Sequence, residues 1–269
     1  MSFKECPDFK LPERADVKIW RYMDLSKFLS LLDRAALYFV RVDHLSSFDA
    51  FEGYYTAANI QFDEISFKDL PDEWKNESGV EDEKIWEILK NEKRKIRHFV
   101  KANRAVTFVN SWHVQNHESA AMWRLYLKSD DGLAIQSTVS RLIEAMVKYD
   151  EYEVFIGMVK YIDFAKETIP TGNILFPFMH KRKSFEHESE LRALIWTPQY
   201  GKNKIPPGEN KHSADSGIYI PVDLDVLVER IYVAPTAPQW IHDLIRSQVK
   251  RFGFDKPVLK SDLAAIPMY

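Results

Sequence analysis

Glu188 and Glu190 are the residues of this chain best suited to catalysis, because they lie two positions apart in the charged stretch E-H-E-S-E-L-R (186–192). If the stretch is a β-strand, its period of two places both carboxylates on one face, with Cα atoms roughly 6.5 Å apart. Two carboxylates at that spacing can serve one reacting centre. In the cleavage of a glycosidic bond, one can steady the positive charge of the transition state while the other orients or deprotonates the acceptor.

The same alternation also permits a purely structural interpretation. A strand over 186–192 places Glu186 and Arg192 on the face of the two glutamates and turns the apolar Leu191, Ala193 and Ile195 to the other face. Arg192 and a neighbouring lysine can then neutralise the glutamates in a ladder of charges at the protein surface. On spacing alone, this surface ladder is the simpler interpretation.

Arg21 is a candidate phosphate-binding residue, because it is a charge within the apolar and aromatic opening strand V-K-I-W-R-Y-M (17–23). The planar fork of an arginine can hold a diphosphate with two parallel hydrogen bonds. Tyr22, next to it, belongs to the same candidate cofactor-binding group. The alternative is a charge on an edge strand or a partner for an internal carboxylate.

Ser111 and Trp112 complete the set of candidate binding residues at the end of the predicted strand A-V-T-F-V-N-S-W (105–112). A serine there can hydrogen-bond a ligand amide, and an indole can stack on it. The alternative for Ser111 is a turn residue. In an earlier loop, Asp49 and Glu52 either assist a site or cap a helix.

No metal site is predicted. His113 and His117 lie four positions apart with Glu118 beside them, so they would share one helical face, but the sequence identifies no third ligand. The single cysteine, Cys6, cannot form an internal disulfide or a thiolate cluster.

The composition excludes several classes of protein. Among 269 residues there are only nine glycines, with no G-x-G, P-loop, G-x-S-x-G or H-E-x-x-H motif. A net charge of -3 gives no general attraction to nucleic acid or to anionic lipid. No apolar run is long enough to span a membrane or to act as a signal peptide, so we expect a cytoplasmic protein with no membrane partner.

The sequence predicts both strands and helices to position these residues, and the two do not alternate regularly along the chain. Predicted strands are 17–23, 37–42, 105–112, 132–138, 153–162, 191–196, 217–222 and 230–235, and predicted helices begin at Leu25 and cover about 82–103, a short segment with Met122 and Tyr126, 139–149 and 238–252. Trp123 and Tyr126 are at helical spacing and are most simply core. The pattern predicts one α+β domain over 1–269, with a mixed, mainly antiparallel sheet, flanking helices and a helical insertion at about 60–104.

The stretch Lys93–Arg104 is basic. We interpret it as the solvated face of a helix, and contact with a nucleic acid is the alternative.

Four of these stretches together resemble a bacterial family known as domain of unknown function 2971. The family's opening aromatic-Arg-Tyr strand, Asp-Pro-Phe-Glu loop, Met-Trp-x-x-Tyr helix and Trp-x-x-Glu-x-Glu-x-Arg segment resemble, in order, residues 20–22, 49–52, 122–126 and 185–192. The order is kept across most of the chain. Ala50 stands where the family has proline, and Phe185 where it has tryptophan.

A more distant similarity, to the ADP-ribosyltransferase superfamily, implies an activity and an ADP-ribosyltransferase-like fold. In that superfamily an arginine on the first strand binds NAD, a serine on a middle strand helps to seat the nicotinamide ribose, and the second glutamate of Glu-x-Glu holds that ribose as nicotinamide leaves. The resemblance places these roles on Arg21, Ser111 and Glu190, with Glu188 positioning the acceptor. It implies a metal-free enzyme that uses NAD as substrate and transfers ADP-ribose to a protein or nucleic acid, as a toxin or phage-defence effector. The alternative is a non-catalytic module that binds a nucleotide or a partner.

Overall fold

The computed structural model describes residues 3–47, 49–60, 67–69, 83–127, 130–146, 149–197 and 215–265. It shows a mixed α+β architecture with a mainly antiparallel sheet and flanking helices, which confirms the fold class expected from the sequence. In the described part of the chain, no helix is both long enough and apolar enough to cross a membrane.

Eleven strands and seven α-helices are described, and most lie within one or two residues of their predicted positions. The strands are β1 Lys18–Met23, β2 Ala36–Arg41, β3 Thr107–Val114, β4 Leu133–Thr138, β5 Val154–Met158, β6 Lys160–Ile162, β7 His180–Arg182, β8 Glu190–Trp196, β9 Gly217–Pro221, β10 Arg230–Val233 and β11 Val258–Lys260. The helices are α1 Leu25–Arg34, α2 Ala57–Ile60, α3 Glu83–Asn103, α4 Ala120–Tyr126, α5 Val139–Ala145, α6 Leu224–Leu227 and α7 Gln239–Arg251.

The first helix follows the local rules of helix formation. Asp24 caps its N-terminus by accepting a hydrogen bond from the backbone of Lys27, and Phe28 and Leu32 bury its apolar face. At the other end of the chain, Gly253 ends α7 in the left-handed conformation, with a φ of 68° that glycine adopts without steric cost.

The nine strands of the main sheet run in the order β11-β10-β4-β1-β3-β2-β9, with β8 and β5 joined through β3. Within the described residues, every pair in this sheet is antiparallel except β10 with β11. The side chains of β1, β4 and β8 that point to one face pack with α1, α5 and α7 in the main apolar core. This core packs against three of the strands that carry the candidate site residues, β1, β3 and β8.

Three predicted elements differ from the observed ones. The strand expected over 153–162 is broken at Val159, whose N–H donates to the carbonyl of Glu190, and β6 then leaves the main sheet to pair in parallel with β7. The helix expected over 139–149 is described as far as Ala145, and 147–148 lie outside the described residues. Of the insertion predicted at about 60–104, the structure describes helix α3 at 83–103, whereas 61–66 and 70–82 lie outside the described residues.

Candidate ligand-binding cleft

The sheet splits next to β3, and the split forms the candidate site. On one edge of β3, β1 pairs only with His113 and Val114, and β2 pairs only with Phe108 and Val109. The opposite edge of β3 pairs with β8 from Thr107 to His113 without interruption. Between the two short contacts, β1 and β2 diverge and leave an opening along the edge of β3.

Side chains replace backbone hydrogen bonds across this opening. Arg21 Nη1 donates to the carbonyl of Ser111 at 2.8 Å, and Asn110 Nδ2 donates to the carbonyl of Tyr38 at 2.8 Å. A cavity of about 560 Å³ lies in the opening. Its lining residues come from β1, α1, β2, β3, α4 and the segment that leads into β8.

Arg21 lines the cleft as an uncompensated cation. In the described part of the chain no carboxylate lies within ion-pair distance of its guanidinium, which contacts the Ser111 carbonyl and lies 5.9 Å from the centre of the Trp112 ring. Burial lowers the pKa of Arg21 to about 10, although the charges of Tyr126 and Glu190 oppose this shift, so the guanidinium stays protonated at neutral pH. Its remaining N–H groups are available to an anionic ligand.

Glu190 is a buried residue that also lines the cleft. Its carboxylate accepts four hydrogen bonds, two from Arg192, one from Lys181 Nζ at 3.1 Å and one from the hydroxyl of Ser111. Burial by itself would raise the pKa of this carboxyl, but the charges of Arg192 and Lys181 outweigh burial and hold the pKa at about 2. Glu190 is therefore ionised at every physiological pH.

The strand predicted over 186–192 begins only at Glu190, so Glu188 does not share a strand face with it. Residues Lys183–Glu188 form a 3-10 helix, and Ser189 turns the chain into β8 through a left-handed conformation with a φ of 40°. Period-two spacing does not apply across such a turn, and Glu186 is exposed. The two carboxylates still converge, because Lys181 Nζ lies 2.5 Å from Glu188 Oε2 and 3.1 Å from Glu190 Oε2.

The surface charge ladder is wrong as well, because Glu190, Arg192 and Lys181 are buried. Only 3% of Glu190 and 1% of Arg192 are exposed. Arg192 also donates to Glu52 Oε1 at 2.6 Å, and Glu52 lies 3.9 Å from Lys181 Nζ. The charges are thus neutralised by an arginine and a lysine as the sequence indicated, but inside the protein, in a network of three carboxylates and two cations.

The loop residues Asp49 and Glu52 have separate roles. Asp49 accepts a hydrogen bond from the backbone of Phe51 at 3.0 Å and pairs with Arg182 at 2.7 Å, so it fixes the turn. The same turn places the carboxylate of Glu52 within hydrogen-bond distance of Arg192. The loop therefore assists the site, with one acid shaping it and the other joining the charged network.

Tyr22 and Trp112 line the cleft, but both side chains are buried by other residues of the protein, which leaves little ring surface for a ligand to stack on. The hydroxyl of Tyr22 accepts a hydrogen bond from the backbone of Ser119 at 2.8 Å and so anchors the start of α4. The indole of Trp112 lies on the face of β3 opposite to Ser111, is 1% exposed, and donates to Asn110 Oδ1 at 2.8 Å. Both residues shape the wall of the cleft, and the indole face of Trp112 is occupied by the core.

Two residues that line the cleft, Tyr126 and His113, were not among the predicted binding residues, and neither was Lys181, which pairs with Glu188 and Glu190. Tyr126, expected in the core together with the buried Trp123, is 45% exposed and lines the cleft, where burial of its hydroxyl and the charges of the two glutamates raise its pKa to about 12. Lys181 lies two residues after the apolar stretch I-L-F-P-F-M (174–179), and a cation so close to such a stretch was the one available signal. His113 was considered only as a metal ligand.

In the part of the chain that the structure describes, no group of three or more histidine, cysteine, aspartate or glutamate residues is arranged to hold a metal ion. Glu118 does not face His113. Its carboxylate instead accepts hydrogen bonds from Trp123 and Ser261, and joins α4 to the C-terminal segment.

The sequence and the structure were compared with known protein families, curated proteins and solved structures. No family model, no curated protein and no solved structure matches the chain.

Proposed function

We propose that this protein is an NAD-consuming transferase of the ADP-ribosyltransferase type, which passes ADP-ribose to a macromolecular acceptor, either a protein or a nucleic acid. The observation that carries the proposal is the convergence of Arg21, Ser111 and Glu190, from three different strands, on one cleft where the sheet splits. These are the residues to which the resemblance assigns the three roles. The cavity, at about 560 Å³, is within the usual size range of small-molecule sites.

The chemistry follows from the charges along the cleft. The free N–H groups of Arg21 bind the diphosphate of the dinucleotide. Glu190, always ionised, stabilises the positive charge that develops on the ribose as the bond between its anomeric carbon and the nicotinamide nitrogen breaks. Nicotinamide leaves with the bonding electron pair and becomes neutral.

Glu188 completes the transfer. Its carboxylate is half-buried and is held on one side by Lys181, so it can orient an acceptor hydroxyl, amine or carboxamide on the other. The acceptor forms a new bond to the same ribose carbon, and its proton passes to Glu188. NAD serves as substrate, and every step of this proposed mechanism is carried by side chains of the protein.

The experiment is a measurement of nicotinamide release from NAD by the purified protein, with and without cell lysate, comparing wild type with Glu190→Gln. The substitution leaves two carboxylates, Glu52 and Glu188, opposite the two cations of the network, so we expect a folded protein that releases no nicotinamide. Lysate dependence of the wild-type rate would identify a macromolecular acceptor.

A matched control is Glu229→Gln, because Glu229 is also partly buried and paired with a lysine, Lys18, at 2.6 Å, but lies outside the cleft. It should keep the wild-type rate. Full activity in a folded Glu190→Gln protein would overturn the assignment of Glu190.

A second candidate function, a non-catalytic module that binds a nucleotide or a partner, is favoured by one observation. All four hydrogen bonds to the Glu190 carboxylate come from protein groups, two of them cationic residues, and a carboxylate so neutralised stabilises a nearby positive charge less. This function predicts that the wild-type protein binds NAD or ADP without releasing nicotinamide.

A further inference from the structure

His113 is a buried residue of the cleft that belongs neither to the apolar core nor to the network of ion pairs around Glu190. It lies on β3, opposite Trp20 of β1 and opposite Glu190 of β8. Its side chain is on the same face of β3 as that of Ser111, it is 5% exposed, and it lines the cleft.

The hydrogen bond of one ring nitrogen fixes the tautomer of His113. Nδ1 lies 2.6 Å from the backbone carbonyl oxygen of Glu188. A carbonyl oxygen only accepts, so Nδ1 carries a hydrogen and donates it. Burial lowers the pKa of His113, although the Glu188 carbonyl and carboxylate oppose the shift, and the ring is neutral at pH 7. The other nitrogen, Nε2, then carries a lone pair and acts as an acceptor.

This Nε2 atom is buried and has no hydrogen-bond partner among the residues that the structure describes. The ring of Tyr22, with its centre 6.3 Å from that of His113, is the aromatic neighbour, and the Tyr22 hydroxyl is engaged with the backbone of Ser119. Buried polar atoms almost always have a partner, because leaving one unpaired costs about 1–3 kcal/mol. An unpaired acceptor on a residue that lines a ligand-sized cleft is therefore a feature that a ligand donor can complete.

The chemistry of the ligand group follows from what surrounds His113. Glu190 is the cross-strand neighbour of His113, and Glu188 supplies the carbonyl that Nδ1 binds, so two residues with acceptor carboxylates adjoin it, whereas the uncompensated cation Arg21 contacts the carbonyl of Ser111. A ligand group that carries N–H or O–H donors suits the acceptor-rich part, and an anionic group suits Arg21.

We propose that His113 is a ligand-binding residue whose Nε2 accepts a hydrogen bond from a sugar hydroxyl or carboxamide N–H in the nicotinamide riboside half of the dinucleotide. The inference rests on the proposed function, since it assigns a place to one half of that substrate. Through Nδ1, the same ring also holds the main chain of Glu188, so one residue links ligand recognition to the position of the acceptor-orienting carboxylate.

His113→Asn is the variant that tests this. The amide nitrogen of an asparagine is separated from Cβ by one carbon, as Nδ1 of a histidine is, so the variant keeps a donor for the Glu188 carbonyl and removes Nε2 together with the outer part of the ring. Calorimetric titration at about pH 7.5 would measure the affinity for NAD and for ADP, which lacks the nicotinamide riboside. We expect roughly 5- to 10-fold weaker binding of NAD, the value of one hydrogen bond, and unchanged binding of ADP.

His117→Asn is the matched control, because His117 is an exposed histidine on the same stretch of chain, and it should bind both ligands like wild type. Equal NAD affinity in wild type and His113→Asn, or an equal loss for NAD and ADP, would overturn the role of His113 while leaving the proposed function standing. A wild-type protein that neither binds NAD nor releases nicotinamide from it would overturn the proposed function itself, and this inference with it.

Discussion

The hydroxyl of Ser111 donates a hydrogen bond to the carboxylate of Glu190, 79 residues away along the chain. In the register of β3 with β8, Ser111 stands opposite Arg192 and His113 opposite Glu190, so Ser111 and Glu190 are diagonal neighbours on one face of the sheet. Arg192, opposite Ser111, donates to the same carboxylate. Strand pairing therefore brings a hydroxyl, a carboxylate and a guanidinium together at the wall of the cleft.

Ser111→Ala tests this diagonal contact. The substitution removes one donor from Glu190 and leaves its ion pairs with Arg192 and Lys181, so we expect a loss of about 1 kcal/mol in the free energy of unfolding. The rate of nicotinamide release should fall by about tenfold, because the carboxylate loses one of the four hydrogen bonds that orient it relative to the ribose, and the hydroxyl itself no longer lines the cleft. Urea unfolding and a single-turnover assay measure the two effects.

Ser137→Ala is the control for that variant. Ser137 is fully buried and its hydroxyl also donates a hydrogen bond, to the carbonyl of Leu227, but it lies outside the cleft. It should lose similar stability and keep the rate of nicotinamide release. A similar fall in rate in both variants would show that the Ser111 contact has no specific role.

Arg192→Met should be strongly destabilising. Arg192 is 1% exposed and joins Glu190 at 2.7 Å to Glu52 at 2.6 Å, and its removal leaves three carboxylates sharing Lys181. Breaking a buried ion pair by removing one partner costs about 3–5 kcal/mol, which urea unfolding followed by circular dichroism would detect. Arg14→Met, which removes an exposed pair with Asp16, should leave the unfolding curve unchanged.

The elements of the fold were accessible to sequence reasoning because their signals are local. Asp24 before an i, i+3, i+4, i+7 apolar stripe is enough to begin α1, and Gly253 is enough to end α7. Leu191, Ala193 and Ile195 all point to the core as period two requires. What these patterns cannot give is the order of the strands or the split beside β3, since both depend on pairing between distant segments.

The candidate site was predicted in part for the same reason. Arg21, Ser111 and Glu190 could be selected by residue type, and the structure places them around one cleft. The position of Glu188 could not be obtained from spacing, because Ser189 takes a left-handed conformation that glycine or asparagine usually marks. Lys181, which holds the two glutamates together, lies on the three-residue strand β7, whose parallel pairing with β6 leaves no periodic signal.

The low pKa of Glu190 predicts an acid-sensitive fold. A carboxyl whose pKa falls from its ordinary 4.5 to about 2 on folding stabilises the protein above pH 4.5, and this stabilisation is lost as the pH falls towards 2. The free energy of unfolding of the wild type, measured by urea titration at several pH values, should therefore decline through this window. Glu190→Gln should start less stable and show a shallower decline. Identical slopes in both proteins would contradict the assigned pKa.

Arg21→Met should behave in the opposite way to Arg192→Met, although both replace an arginine of the same sheet. Arg21 has no carboxylate partner among the described residues and burial disfavours its charge, since its pKa falls to about 10. Replacing it with an apolar side chain of similar length should leave the free energy of unfolding unchanged or raised, while ADP binding weakens by at least tenfold through loss of the diphosphate contact. Urea unfolding and calorimetry with ADP give the two readings for each variant. If Arg21→Met instead lost as much stability as Arg192→Met, Arg21 would be a structural link across the split sheet, and the anion would have to bind elsewhere.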